Sequence, residues 1–249
     1  MKIKRYPVLN IWVDDCTMEK SLKQVDEYIS NNSGLKIIFA SNPEKNFSVP
    51  ENQILYNVFK NADLLIPDGI GMVLAAKFLY GAHIERVPGC ELMQNICALS
   101  AEKGYKIFIY GAKEEVNKAA AETLMKRHPS IEIVGRQNGY LRDDKMDDLI
   151  KRINDSKAQI LFLAMGSPKQ EMWISKYRDR LLNVRVCQGI GGTLDVLAGT
   201  VKRAPEIYCK TGLEWFYRLL SEPARIRRQI KLPLFAAQVF IKKIRQSLV

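Results

Sequence analysis

Asp68 stands in a Pro67-Asp68-Gly69-Ile70-Gly71 turn directly behind the apolar run from Asp63 to Ile66. A carboxylate there can take the proton from an attacking hydroxyl, a step that needs no metal. Aspartate is equally a common helix cap, here for a helix beginning near Ile70, and position alone divides the two roles evenly. Arg86, in Glu85-Arg86-Val87-Pro88-Gly89, precedes a helix that starts near Cys90. Its planar fork suits a diphosphate, whereas without support it is a solvated loop arginine. Lys169 and Gln170 belong to the compact turn Gly166-Ser167-Pro168-Lys169-Gln170-Glu171. Pro168 fits a first helical turn and Glu171 its N-terminal end. The Gln170 amide can hydrogen-bond a uracil or a sugar, or it can simply hold the turn together.

Gly189-Ile190-Gly191-Gly192 resembles a phosphate-cradling turn but has the spacing of neither the dinucleotide fingerprint nor the lysine-containing P-loop. Gly69-x-Gly71 fails the fingerprint too, with Leu74 at the third glycine. No cofactor is therefore expected. The chain holds no Asp-x-Asp triplet, and its two histidines, His83 and His128, have no clustered partners, so no metal is expected either. The pairs Asp143-Asp144 and Asp147-Asp148 read as a solvated helix start. Trp173 and Trp215 read as core or interface residues.

These turns need a scaffold, and the sequence provides one. Short β-rich runs (Val8 to Val13, Lys36 to Ser41, Asp63 to Ile66, Lys106 to Gly111, Ile131 to Gly135, Gln159 to Met165, Val184 to Gln188) alternate with amphipathic stretches. The latter include Met18 to Ser30, Glu91 to Glu102, Glu114 to Arg127 and Lys145 to Asn154. Continuously apolar strands such as Ile160-Leu161-Phe162-Leu163 are covered on both faces. Residues 1 to about 200 are thus expected to form a doubly wound α/β domain with a largely parallel sheet, whose ligands sit beyond the carboxyl ends of the strands. Asn42 and the turns at Asp68, Gly166 and Gly189 all follow strands.

Beyond residue 200 the character changes. Residues 202 to 249 hold 11 Lys or Arg against 3 Glu, so +8 of the formal +11 lies there. Glu214 to Gln229 reads as a helix with Arg218, Arg225 and Arg228 available near one stripe, and after Pro233 a second helix, Leu234 to Leu248, sets apolar anchors among Lys242, Lys243 and Arg245. Basic residues flanking apolar anchors fit a helix lying on an anionic membrane surface. No run reaches the roughly 20 apolar residues of a membrane span. Five scattered cysteines, without a Cys-x-x-Cys pair, and the lack of a signal-peptide pattern fit a reducing cytoplasm.

Six co-linear motifs carry a resemblance that runs from about Val8 to Phe240. They are Pro67-Asp68-Gly69-x-Gly71, Glu85-Arg86-Val87-x-Gly89, Gly166-x-Pro168-Lys169-Gln170-Glu171-x-Trp173-Ile174, Gly189-x-Gly191-Gly192-x-x-Asp195, Lys202-Arg203-Ala204-Pro205, and Gly212-Leu213-Glu214-Trp215-x-Tyr217-Arg218-Leu219-x-x-Glu222-Pro223-x-Arg225. Together they resemble the WecG/TagA/CpsF glycosyltransferase family. The resemblance implies inverting, metal-independent transfer from a UDP-sugar donor, typically N-acetylmannosamine, to a polyprenyl-diphosphate-linked sugar acceptor in teichoic acid or related polysaccharide synthesis. It makes Asp68 the base, places Asn42, Arg86 and Gln170 in the substrate pocket with the Gly189, Gly191 and Gly192 turn, and brings Arg218, Arg225 and Arg228 to the acceptor diphosphate. It also implies a cytoplasmic enzyme, peripheral on the inner face of the membrane, with residues 201–249 as a docking appendage. The family's teichoic-acid members carry Thr-Pro-Asn where this chain reads Ala40-Ser41-Asn42, which removes a hydroxyl and leaves the donor sugar open between N-acetylmannosamine and another such as glucose or glucuronic acid. The oligomeric state is open as well, a homo-oligomer included. A non-catalytic nucleic-acid-binding protein would use the same basic tail, with salt-sensitive binding as its mark, but leaves the loop motifs unexplained; no nucleic-acid partner is expected. A nicotinamide-dependent oxidoreductase lacks its fingerprint.

Overall fold

A computed structural model describes residues 3–248, apart from 33, 203, 206, 209–214 and 218–229. The elements run β1 (Arg5–Val8), β2 (Ile11–Asp14), α1 (Met18–Ser30), β3 (Lys36–Ser41), α2 (Lys45–Ser48), α3 (Gln53–Lys60), β4 (Leu64–Pro67), α4 (Ile70–Tyr80) and α5 (Gly89–Lys103). They continue with β5 (Lys106–Gly111), α6 (Glu114–Arg127), β6 (Glu132–Gln137), α7 (Met146–Asp155), β7 (Ile160–Ala164), α8 (Lys169–Tyr177), β8 (Val186–Gly189), α9 (Thr193–Leu197) and α10 (Lys231–Ser247).

Strands β3 to β8 form a six-stranded sheet in the order β4-β3-β8-β7-β5-β6, parallel throughout. Side chains alternate across it as strand geometry requires. Phe39, Leu65, Phe108, Leu161 and Cys187 meet Leu55 of α3, Met72 of α4, Leu149 of α7 and Trp173 of α8 on one face. Ile38, Ile66, Ile107, Ile160 and Val186 meet Val25 of α1, Leu92 of α5, Val116 of α6 and Leu194 of α9 on the other. The expected doubly wound α/β architecture is therefore present. Helix α1 begins where the Thr17 side chain accepts from the Lys20 amide, and it turns Ser21, Val25 and Ile29 inward at spacings of four.

Two local expectations are corrected. Val8 to Val13 is not one strand: Leu9, at φ 55°, and Asn10 turn the chain between β1 and β2, which pair antiparallel as a separate hairpin. Pro233 does not precede the last helix but lies in the first turn of α10, where a missing N–H costs nothing. Of the expected helix Glu214 to Gln229, only Trp215 to Tyr217 is described, and it is helical.

Strand β3 leads through α2 and α3 on the first face to β4, whereas the neighbouring β8 leads into α9 on the second. The chain thus departs to opposite faces from adjacent strands, which opens a crevice at their carboxyl ends, the usual ligand position of open α/β sheets. Helix α10 packs on α4 with Phe235 and Val239 buried. A Cβ on Gly71 would lie 2.7 Å from Pro43 Cγ and 3.7 Å from Phe235 Cε1, so α10 rests against the turns that follow β3 and β4.

Candidate active site

Asp68 follows β4, and its amide donates to the Ser41 carbonyl at the end of β3 (3.1 Å). Asp68 does not cap the adjoining helix α4, whose N-cap is Gly69 and which has no side-chain cap bond. Its Oδ1 instead accepts from the backbone amide of Gly89 at 2.7 Å, the first residue of α5. Helix N-termini carry amides without intrahelical partners and favour negative charge, so the carboxylate is held by a group suited to it. The Arg86 Nε donates to the Asp68 carbonyl at 2.8 Å, and the Val87 amide to the Pro67 carbonyl at 2.9 Å. The Arg86-to-Gly89 segment is thereby strapped onto the Asp68 turn. Asn42, half-buried beside it, accepts the Lys45 amide on its Oδ1 (3.1 Å) and so fixes the start of α2.

Across the crevice Gln170 is buried at the start of α8. Its Oε1 accepts from the Gly191 amide (3.1 Å) and its Nε2 donates to Glu171 Oε1 (3.4 Å). Gly189 permits this approach: a Cβ there would stand 2.5 Å from Gln170 Nε2 and 3.2 Å from Phe39 Cδ1. Of the two roles open to Gln170, the structure displays the turn-holding one. Gly191 and Gly192 lie on the turn entering α9, Gly191 half-buried and Gly192 exposed. The crevice therefore gathers Asn42, Asp68 and Arg86 at the ends of β3 and β4, and Gln170, Gly189, Gly191 and Gly192 at the ends of β7 and β8. Arg218, Arg225 and Arg228 lie outside the described residues.

Two features were not expected from sequence. Glu171, read as a dipole-favoured residue at a helix start, is fully buried and ion-paired to buried Lys45 at 2.8 Å. Lys45 Nζ also lies 4.9 Å from the ring centre of Phe59 and 5.5 Å from that of Phe39. The pair joins α2 to α8 and so clamps the two sides of the crevice together. The second is Gln188, at 1% exposure, whose Nε2 donates to the Gly89 carbonyl at 3.0 Å. The partners are 126 and 99 residues apart, and no local pattern announces either.

A cavity of about 600 Å³ runs along α8, lined among others by Tyr110, Met165, Lys169, Met172, Trp173 and Tyr177. It meets the crevice at Met165 and Lys169 but includes none of Asn42, Asp68 or Arg86. Geometry and hydrogen bonding therefore locate the candidate chemistry in the crevice, beside this cavity. Trp173 is buried in the core, and Asp143, Asp144, Asp147 and Asp148 are exposed, as expected. Among the described residues no three His, Cys, Asp or Glu side chains gather as a metal site would need.

A parallel, doubly wound sheet with a held carboxylate and glycine turns at its switch point defines an α/β protein with a ligand crevice, and comparison identifies it as a glycosyltransferase. Residues 6–248 match the model of the glycosyl transferase WecG/TagA/CpsF family, and the chain belongs to that family. It is similar to the N-acetylglucosaminyldiphosphoundecaprenol N-acetyl-beta-D-mannosaminyltransferase of Bacillus spizizenii (strain ATCC 23059 / NRRL B-14472 / W23), at 36% identity over 212 residues, covering 85% of this chain and 81% of that protein.

Proposed function

We propose that this chain transfers N-acetylmannosamine, with inversion, from a UDP donor to N-acetylglucosamine on undecaprenyl diphosphate, in teichoic acid or related cell-surface polysaccharide synthesis. The observation that carries the proposal is the Asp68 carboxylate held at the switch point by the Gly89 amide, on a scaffold 36% identical to a protein named for this transfer. In this reading the acceptor hydroxyl attacks the anomeric carbon as the bond to the UDP oxygen breaks, and Asp68 takes the hydroxyl proton. The products are the new glycoside and UDP. Asn42, Arg86, Gln170 and the turn of Gly189, Gly191 and Gly192 hold the donor. Arg218, Arg225 and Arg228 meet the acceptor diphosphate. Charge on the leaving group is balanced by arginine and backbone amides rather than by a metal.

Residues 1–200 carry the chemistry and residues 201–249 dock it on the inner face of the cell membrane. Supporting this, α10 has two apolar faces. Phe235 and Val239 are spent on α4 and Phe240 stacks on Phe78 of that helix, 6.3 Å between ring centres, while Leu234, Ile241 and Ile244 are exposed. Apolar residues left exposed on a helix that also carries Lys231, Lys242, Lys243 and Arg245 suit an anionic lipid surface. No helix among the described residues is long and apolar enough to cross a membrane.

One observation favours a different UDP-sugar. Ala40 offers only a methyl group, and the hydroxyl of Ser41 beside it is turned inward onto the Trp12 carbonyl (2.5 Å), so it does not supply the missing donor. The test is UDP release from a panel of UDP-sugars, with and without polyprenyl-diphosphate-N-acetylglucosamine, in EDTA. Acceptor-dependent release from UDP-N-acetylmannosamine is expected, and release from another donor alone would replace it. Asp68→Asn should abolish turnover while donor binding persists; loss of both together would remove the support for Asp68 as base.

A further inference from the structure

We infer that Gln188 is a positioning residue for Asp68, acting through the one residue that both of them bond, Gly89. The inference rests on the reading of Asp68 as the base. Gln188 is the penultimate residue of β8, a strand hydrogen-bonded on one side to β3 and on the other to β7, with Gln188 in register with Ile38 and Phe162. Its root is therefore among the most firmly fixed points of the sheet. From there Nε2 donates 3.0 Å to the carbonyl of Gly89, and the amide of the same Gly89 donates 2.7 Å to Asp68 Oδ1. Gly89 is gripped by the sheet on one side and grips the carboxylate on the other.

The bond is not one that α5 needs. As the first residue of a 15-residue helix, Gly89 has a carbonyl that serves the helical ladder. The Gln188 amide occupies the second lone pair. Nor does packing call for an amide. Gln188 sits among apolar side chains of the α5 face, and its Oε1 meets no donor among the described residues. A buried, unpaired polar atom costs about 1–3 kcal/mol, which leucine at this position would avoid. What leucine cannot do is hold the Gly89 carbonyl, and through the helical backbone at that residue the position of its N–H. Further bonds fix the main chain around Asp68, among them those from its own amide to Ser41, from Arg86 and from Val87. The Gly89 amide bonds the carboxylate itself, so losing its support reaches the base directly and not only the turn.

The experiment compares Gln188→Leu and Gln188→Glu with the unmodified enzyme and with Asp68→Asn, measuring kcat, donor KM, the pH profile of kcat and the melting temperature. Gln188→Leu should lower kcat about tenfold, roughly 1.4 kcal/mol of barrier, with donor KM changed less than about twofold. Gln188→Glu supplies the distinguishing readout. A protonated carboxyl can still donate to the Gly89 carbonyl and an ionised one cannot, and burial favours the protonated form. Its kcat should therefore approach that of the unmodified enzyme at low pH and fall along a new high-pH limb. If Gln188→Leu keeps kcat within about twofold while Asp68→Asn is inactive, the inference is overturned. So it is if both Gln188 variants lose kcat equally at every pH, since that pattern marks a packing role. Turnover by Asp68→Asn would overturn the base itself, and the inference with it.

Discussion

Replacing Lys45 by methionine removes one half of the buried clamp between α2 and α8 and leaves the other in place. Methionine fills most of the lysine stem, so little volume is lost; what changes is that Glu171, fully buried, faces the interior without its cation. Breaking a buried ion pair from one side costs about 3–5 kcal/mol, chiefly because the remaining charge is uncompensated. For a chain of this size each kcal/mol is worth roughly 2–4 °C, so melting should fall by about 6–20 °C. The attraction between Lys45 and the Phe59 and Phe39 rings is lost as well, at about 0.5–2 kcal/mol. Glu171→Gln separates the two losses, because it keeps the cation on the rings while removing the carboxylate. The Lys45→Met, Glu171→Leu double variant should recover most of the loss, since an apolar pair of similar volume is often as stable as the ions. Urea unfolding of the unmodified chain, of Lys45→Met, Glu171→Gln and Glu171→Leu, and of the double variant gives every quantity. A deficit below about 1 kcal/mol for Lys45→Met, or losses that simply add in the double variant, would show that the pair is not coupled and that the clamp argument is wrong.

The remaining predictions concern separate regions. Gly189→Ala places a methyl group 2.5 Å from Gln170 Nε2 and should displace that amide from Gly191, with a loss of about 1–3 kcal/mol in stability and a clear drop in UDP affinity by calorimetry; unchanged affinity would show that the turn does not hold the donor. Cys90 is half-buried and outside any disulfide, whereas burial pushes the Cys16 and Cys97 thiols up to about 12 and that of Cys187 upward as well. Alkylation at pH 8 should therefore mark Cys90 well before those three by peptide mass spectrometry, and UDP-sugar should slow it, because Cys90 follows Gly89 at the site. Ile241→Glu combined with Ile244→Glu lies on the outward face of α10 and should leave stability within about 0.5 kcal/mol. It should sharply reduce sedimentation with anionic vesicles, and full retention of binding would move the membrane contact elsewhere.

The architecture was legible where local signals agreed. Helices α1 and α6 begin and end at the residues the periodicity indicates, and the uninterrupted apolar run of β7 announces a strand covered on both faces. The first hairpin was not, because Leu9-Asn10 interrupts an apolar run without a glycine to mark the turn. At the site, the loops after each strand could be singled out from the fold class alone, since parallel sheets put ligands there. The partners of those loops could not. Asp68 reads locally as a cap for α4, and only the three-dimensional arrangement shows that its carboxylate serves the next helix instead, 21 residues on. Lys45 with Glu171, and Gln188 with Gly89, join segments about 100 residues apart, and a charged or amide side chain carries no mark of what it will meet across such a separation.

The hairpin that the sequence concealed has its own consequence. Strand β4 is an edge of the main sheet, and an edge strand normally presents unpaired amides to any other chain that comes by. Here Asp14, at the end of β2, accepts the Leu65 amide on Oδ2 at 2.7 Å while Arg5 clamps the carboxylate and reaches the Ala62 carbonyl at 2.9 Å. One side chain has taken the place an incoming strand would use. At the opposite edge, β6 slips register by one residue beside Gly135 and bears Glu132 and Arg136, features that discourage templated growth. Copies crowded together, as they would be on a two-dimensional surface, thus meet a sheet closed to recruitment at both margins, and any self-association falls to the helical faces.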